Sequence, residues 1–122
     1  MALDLSWSDY RGDPILRMAS QSGHFVIGFG GAWCLALIWW PLWLLVPLAY
    51  AAHELRQYLR ERARAADCAW DCAFVASGVA LTLLLLPVAP PGARLGLPIF
   101  CAVLLAYGFE LPRLIVEKLR RS

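Results

Sequence analysis

Residues 24–58 read HFVIGFGGAWCLALIWWPLWLLVPLAYAAHELRQY, and the reading of this run decides the fold. It is too long for one membrane-crossing helix, which takes about 20 apolar residues, and just long enough for two short ones. Trp39, Trp40 and Trp43 flank Pro41 in its middle. Tryptophan is enriched at the membrane–water interface, where its amphipathic ring suits the headgroup region. Proline suits the first turn of a helix, because the N–H it lacks would have no intrahelical partner there. The run therefore predicts a tight turn at Trp40-Pro41, with spans near 22–40 and 41–58. The alternative is three spans in all, the first a single long helix kinked at Pro41 and Pro47.

Two further apolar runs lie downstream, and they predict spans near 69–89 and 94–111 with a Pro90-Pro91-Gly92 turn between them. The expected architecture is a single all-α integral membrane domain over 1–122, a four-helix transmembrane bundle built from two hairpins. Composition agrees. Of the 122 residues 61% are apolar and 16% charged, and mean hydropathy is +0.60. Soluble domains sit near 45–50% apolar and about 25% charged. A chain this short leaves about a third of its surface facing solvent, and its polar residues are too few to cover it in water. The net charge of +2 lacks the basic face of a nucleic-acid binder.

Charge also orients the chain. Four spans put Arg11, Arg17, Arg56, Arg60, Arg62, Arg64, Arg113, Lys118, Arg120 and Arg121 on one side, against Arg94 on the other. Three spans would move Arg11 and Arg17 across. The positive-inside rule prefers the first arrangement and makes both termini cytoplasmic. Residues 1–21 are expected to be interfacial or flexible. Asp4, Asp9 and Asp13 make them unlike a signal peptide. Residues 112–122 are expected to form a basic cytoplasmic tail.

Ionisable residues inside spans are costly and face a bundle interior or a wet cavity. His24 opens the first span, Glu54 and Gln57 close the second, and Asp67 and Asp71 open the third, so all five fall at one depth. Helical spacing places Gly28, Gly31 and Ala32 on the His24 face, and Val75, Gly78 and Thr82 on the Asp67–Asp71 face. Small residues let membrane helices approach closely. Contact at Gly28 and Gly78 would bring His24 within reach of Asp71 or Asp67. With Arg62 and Arg64 at the fringe, the cluster is suited to a lipid headgroup, anionic or phosphorylated, or amine-bearing. Glu110 is expected to snorkel or to pair with Arg113 or a loop arginine.

No catalytic set is assigned. Cys34, Cys68, Cys72 and Cys101 lack zinc-type spacing, so no metal and no cofactor is expected. Gly28-Phe29-Gly30-Gly31 has no following Gly-Lys-Ser/Thr and is not a phosphate loop.

These motifs resemble those of VanZ-like membrane proteins. That family opens its first span with His-Phe, closes the second with Glu-x-x-Gln, and follows an arginine-containing loop with Asp-x-x-x-Asn. His24-Phe25, Glu54-x-x-Gln57, Arg62 or Arg64, and Asp67-x-x-x-Asp71 fall in that order. Gly23-His24-Phe25 is also similar to small phage and prophage membrane proteins. The likeness covers about residues 20–82. It departs at Ser20 and Gln21, where an Asp-Lys pair is expected, at Asp71 for the asparagine, and at Phe74 for a glycine. It implies a cell-envelope protein that binds a lipid or lipid-carrier headgroup. Two other readings fit the sequence. One is a phage holin that oligomerises and permeabilises the membrane. The other is an accessory subunit packed beside a membrane-protein partner.

Overall fold

The computed structural model describes residues 14–60 and 64–122, and among them every regular element is helical. Helix α1 spans Pro14–Ile38, α2 Leu45–Arg60, α3 Ala65–Leu85, α4 Pro91–Val103 and α5 Leu111–Arg121. A 3₁₀ segment, Trp40–Leu44, leads into α2, and a second, Leu86–Val88, ends α3. A π-helical segment, Leu104–Glu110, joins α4 to α5 with little interruption.

The deciding turn falls at Trp39. Its backbone is extended (φ −158°, ψ 125°), and Pro41 sits in the first turn of the 3₁₀ segment that follows. A single kinked helix is therefore not what forms. The chain reverses, and α2 runs back along α1, so that Tyr50 faces His24 and Val46 faces Gly31. Among the described residues, three helical stretches are long and apolar enough to cross a membrane: Arg17–Ile38, Ala65–Val88 and Pro91–Arg121. The second span expected at 41–58 is not among them. Its α-helix has 16 residues, and the second half carries His53, Glu54, Arg56 and Gln57.

Both ends of the bundle extend further into helix than the apolar runs suggest. Helix α1 starts at Pro14, a residue fit for a first turn, so residues 14–21 are already helical. The rest of that expected segment, 1–13, lies outside the described residues. Residues 112–121 are helical. Pro112 occupies the first turn of α5, and apolar Leu114, Ile115 and Leu119 alternate with a basic face ending in Lys118, Arg120 and Arg121.

Helix α1 is the central strut and makes its largest contact with α3. The two run parallel: Gln21 meets Asp71 near one end and Phe29 meets Thr82 near the other. Glycine sets their separation. A Cβ on Gly28 would overlap the Val75 carbonyl, and one on Gly78 would overlap the Phe25 carbonyl and crowd the Phe29 nitrogen at 2.6 Å. At that separation Thr82 Oγ1 donates to the Phe29 carbonyl (2.8 Å). The strip read from the sequence, Asp67, Asp71, Val75, Gly78 and Thr82, is buried throughout. Ala32 is buried too, whereas Gly31 serves a different contact, against Val46 of α2.

Helix α4 packs antiparallel on α1, with Cys101 against Gly30 and Arg94 beside Trp33. Pro98 lies inside α4. It has no N–H, so the carbonyl of Arg94, four residues earlier, loses its helical donor. The Trp33 indole supplies one instead, with Nε1–H donating to that carbonyl at 2.9 Å. Trp33 is wholly buried and stacks in a core with Phe29, Val26 and Leu86. The outer faces carry large apolar side chains such as Leu48, Leu84, Ile99 and Tyr107, as a lipid-facing surface would.

Candidate functional site

The up-down-up-down order delivers the start of α1, the end of α2, the start of α3 and the π–α5 junction to one end of the bundle. A cavity of about 480 Å³ opens there, and its walls are mostly polar. Helix α1 contributes Ser20 and His24, α2 contributes Tyr50, His53, Glu54 and Gln57, α3 contributes Asp71, and the fourth wall holds Glu110 and Arg113.

Asp71 is the hub. It is 8% exposed, and Gln21 Nε2 donates to its Oδ1 at 2.8 Å. His24 Nδ1 stands 3.6 Å from the same oxygen, a distance for ion pairing rather than for a hydrogen bond. The His24 ring meets Tyr50 edge-on, with centroids 5.7 Å apart, and Tyr50 meets His53 at 5.8 Å. His53 Nε2 and Gln57 Nε2 are 2.9 Å apart, which fixes one as donor and the other as acceptor once the imidazole tautomer is set. Arg113 Nη2 donates to Glu110 Oε2 at 2.8 Å, the pairing expected of Glu110.

Glu54 is the most enclosed carboxylate here, only 4% exposed. Its Oε2 is buried and has no hydrogen-bond partner among the described residues, although Glu54 lines the cavity. Such an atom costs free energy on the order of 1–3 kcal/mol unless a donor reaches it, and more when it is charged. Cys68 Sγ approaches the Glu54 backbone carbonyl at 3.7 Å.

Of the residues singled out from sequence, His24, Glu54, Gln57 and Asp71 share this cavity. The glycine contact explains why: it holds α1 and α3 close enough for His24 and Asp71 to meet. Asp67 is buried in the first turn of α3 but does not line the cavity, because it lies one turn below Asp71. Arg64 precedes α3 at its N-cap and also stands outside the walls. Arg62 lies outside the described residues, as does neighbouring Glu61. Tyr50, His53, Ser20, Gln21 and Arg113 were not assigned to the site from sequence. Two of them had a legible signal: His53 precedes Glu54, and Tyr50 lies one turn before it on the same face. Gln21 had none, since only the crossing of α1 and α3 puts it on Asp71. Among the described residues no three His, Cys, Asp or Glu side chains gather closely enough to hold a metal ion.

Cationic residues collect at the same end. Among the described residues, Arg17, Arg56, Arg60, Arg64, Arg113, Lys118, Arg120 and Arg121 belong to the helix ends around the cavity, and Arg94 to the opposite end. No protein-family model, no curated protein and no solved structure matches this chain.

Proposed function

We propose that the chain is a multi-pass envelope protein of the VanZ-like kind, with four crossings of a bacterial inner membrane and both termini in the cytoplasm. It binds the headgroup of a lipid or lipid carrier in the polar cavity. The observation that carries this reading is the cavity itself: a half-open cleft of polar side chains, built from four helical walls, at one end of an apolar bundle. Ionisable groups that line a cavity within membrane helices mark ligand or ion pathways. The ring of arginines and lysine at this end supports a cytoplasmic placement. A headgroup entering sideways from the bilayer meets the cavity at its own depth, while its acyl chains stay against the apolar outer faces.

The likeness to VanZ-like proteins adds one point. Two of its departures, Gln21 and Asp71, are bonded to each other. The change at one position is thus answered by the other, and the motif keeps a polar contact between the first and third spans.

The test is lipid retention by the purified chain. Lipids that copurify in mild detergent are counted by mass spectrometry for the native chain, Asp71→Asn and His24→Ala. Both variants should insert normally and retain several-fold less lipid. Full retention in both would refute a headgroup site here.

A further inference from the structure

We propose that the group held in this cavity is a primary ammonium, presented by an ethanolamine-type phospholipid headgroup. The inference rests on the headgroup reading and goes beyond it by fixing the chemistry of the ligand.

Charge comes first. Three carboxylates, from Glu54, Asp71 and Glu110, line the cavity, and Arg113 is the one guanidinium among the described lining residues. Arg113 is bonded to Glu110. Three carboxylates against one paired guanidinium leave the walls an excess of negative charge on the Glu54–Asp71 side. An anionic headgroup would be repelled there. A cation is drawn in, and low local polarity strengthens the attraction.

Hydrogen bonding narrows the cation. Glu54 lines the cavity yet is only 4% exposed; Tyr50 hydrogen-bonds to its side chain, and its buried Oε2 still has no donor among the described residues. The missing partner is therefore a donor as well as a positive charge. An ammonium has three N–H donors and no acceptor. A quaternary ammonium has the charge but no donor, and is recognised instead by aromatic faces. Tyr50 is the one phenol or indole in the walls, too little for an aromatic cage. The opposite wall completes the match. Arg113 lines the same cavity, and guanidinium groups bind phosphate well. The headgroup would thus run from Glu54 to Arg113, ammonium to phosphate.

The same amine–phosphate chemistry exists in a lipid and in free phosphoethanolamine, so the experiment separates them. The full chain in mild detergent is mixed with equimolar phosphatidylethanolamine, phosphatidylcholine and phosphatidylglycerol of matched acyl chains. Bound lipid is read by native mass spectrometry. Phosphatidylethanolamine adducts should exceed each of the others roughly tenfold or more, the worth of a hydrogen bond to a charged group. Glu54→Gln should bring that ratio near one. Equal binding of the ethanolamine and choline lipids overturns the ammonium proposal and leaves a headgroup site standing. No lipid adduct of any kind overturns the headgroup reading itself, and this proposal with it. Free phosphoethanolamine that displaces the lipid at matched concentration overturns the lipid source; failure to displace supports it. If Glu54→Gln does not fold, the ethanolamine-to-choline ratio on the native chain decides alone.

Discussion

Replacing Trp33 by Phe tests the account of how α1 and α4 are joined. The indole N–H donates to the Arg94 carbonyl, which Pro98 has deprived of its helical donor. Phe keeps an aromatic ring in the core but removes that donor. Two costs follow. Truncating Trp or Phe to Ala in a core costs about 3–5 kcal/mol, so shortening Trp to Phe should cost about 1–2 kcal/mol in packing. Orphaning a carbonyl costs about 1–3 kcal/mol in a protein core. In membrane bundles side-chain hydrogen bonds average only about 0.6 kcal/mol and reach about 1.7 kcal/mol, because the unfolded chain finds partners too. The Arg94 carbonyl has no helical alternative, so its share belongs near the top of that range, about 1–1.7 kcal/mol. Pro98→Ala separates the two costs, since an alanine there brings back an N–H for the Arg94 carbonyl. In that background Trp33→Phe should cost the packing part alone. The assay is equilibrium unfolding in mixed detergent micelles titrated with a denaturing detergent, followed by far-UV circular dichroism on all four chains of the cycle. A coupling of about 1 kcal/mol or more supports the reasoning. Equal costs of Trp33→Phe in both backgrounds would refute it.

Other outcomes follow from the same structure. Gly78→Ala drives a methyl into the α1 backbone and should destabilise by about 1–3 kcal/mol, whereas Gly96→Ala, which has open space around it, should be neutral or gain up to about 1 kcal/mol; the same unfolding titration ranks them. Gln21→Leu removes a donor from buried Asp71 and should cost about 1–3 kcal/mol, with Gln21→Asn recovering little, because its shorter side chain falls short of the 2.8 Å contact. Arg113→Ala breaks an ion pair in which Glu110 is half exposed, so stability in that titration should change by less than about 1 kcal/mol. Topology reporters fused after Trp40 and after Pro91 should both signal the non-cytoplasmic side; a cytoplasmic signal at Trp40 would show that α2 does not cross.

What sequence alone determined was periodicity and punctuation. Apolar runs of span length fixed an all-helical chain, because a backbone in lipid must satisfy its own hydrogen bonds. The tryptophans around Pro41 located the reversal to within a residue or two of Trp39. Small residues at helical spacing named Gly28 and Gly78 as the crossing point, and from that crossing the meeting of His24 with Asp71 followed. Those are local properties of each helix face, and a sequence displays them directly.

The tertiary structure decided what depends on the angle and depth of one helix against another. Whether Asp67 or Asp71 faces His24 turns on a single helical turn, and spacing along one chain holds no record of where a neighbouring helix begins. Gln21 looked like part of a polar lead-in until the parallel crossing set it on Asp71. From sequence Glu110 is expected to snorkel or to pair with Arg113 or a loop arginine, and the end of the π segment brings both residues to the fourth wall of the cavity. Pro98 carries no such signal in the sequence; only packing showed that the Arg94 carbonyl it orphans is where Trp33 holds α4 to the core. Side-chain types therefore stated which chemistry the chain carries, and helix packing chose which of those groups share one cavity.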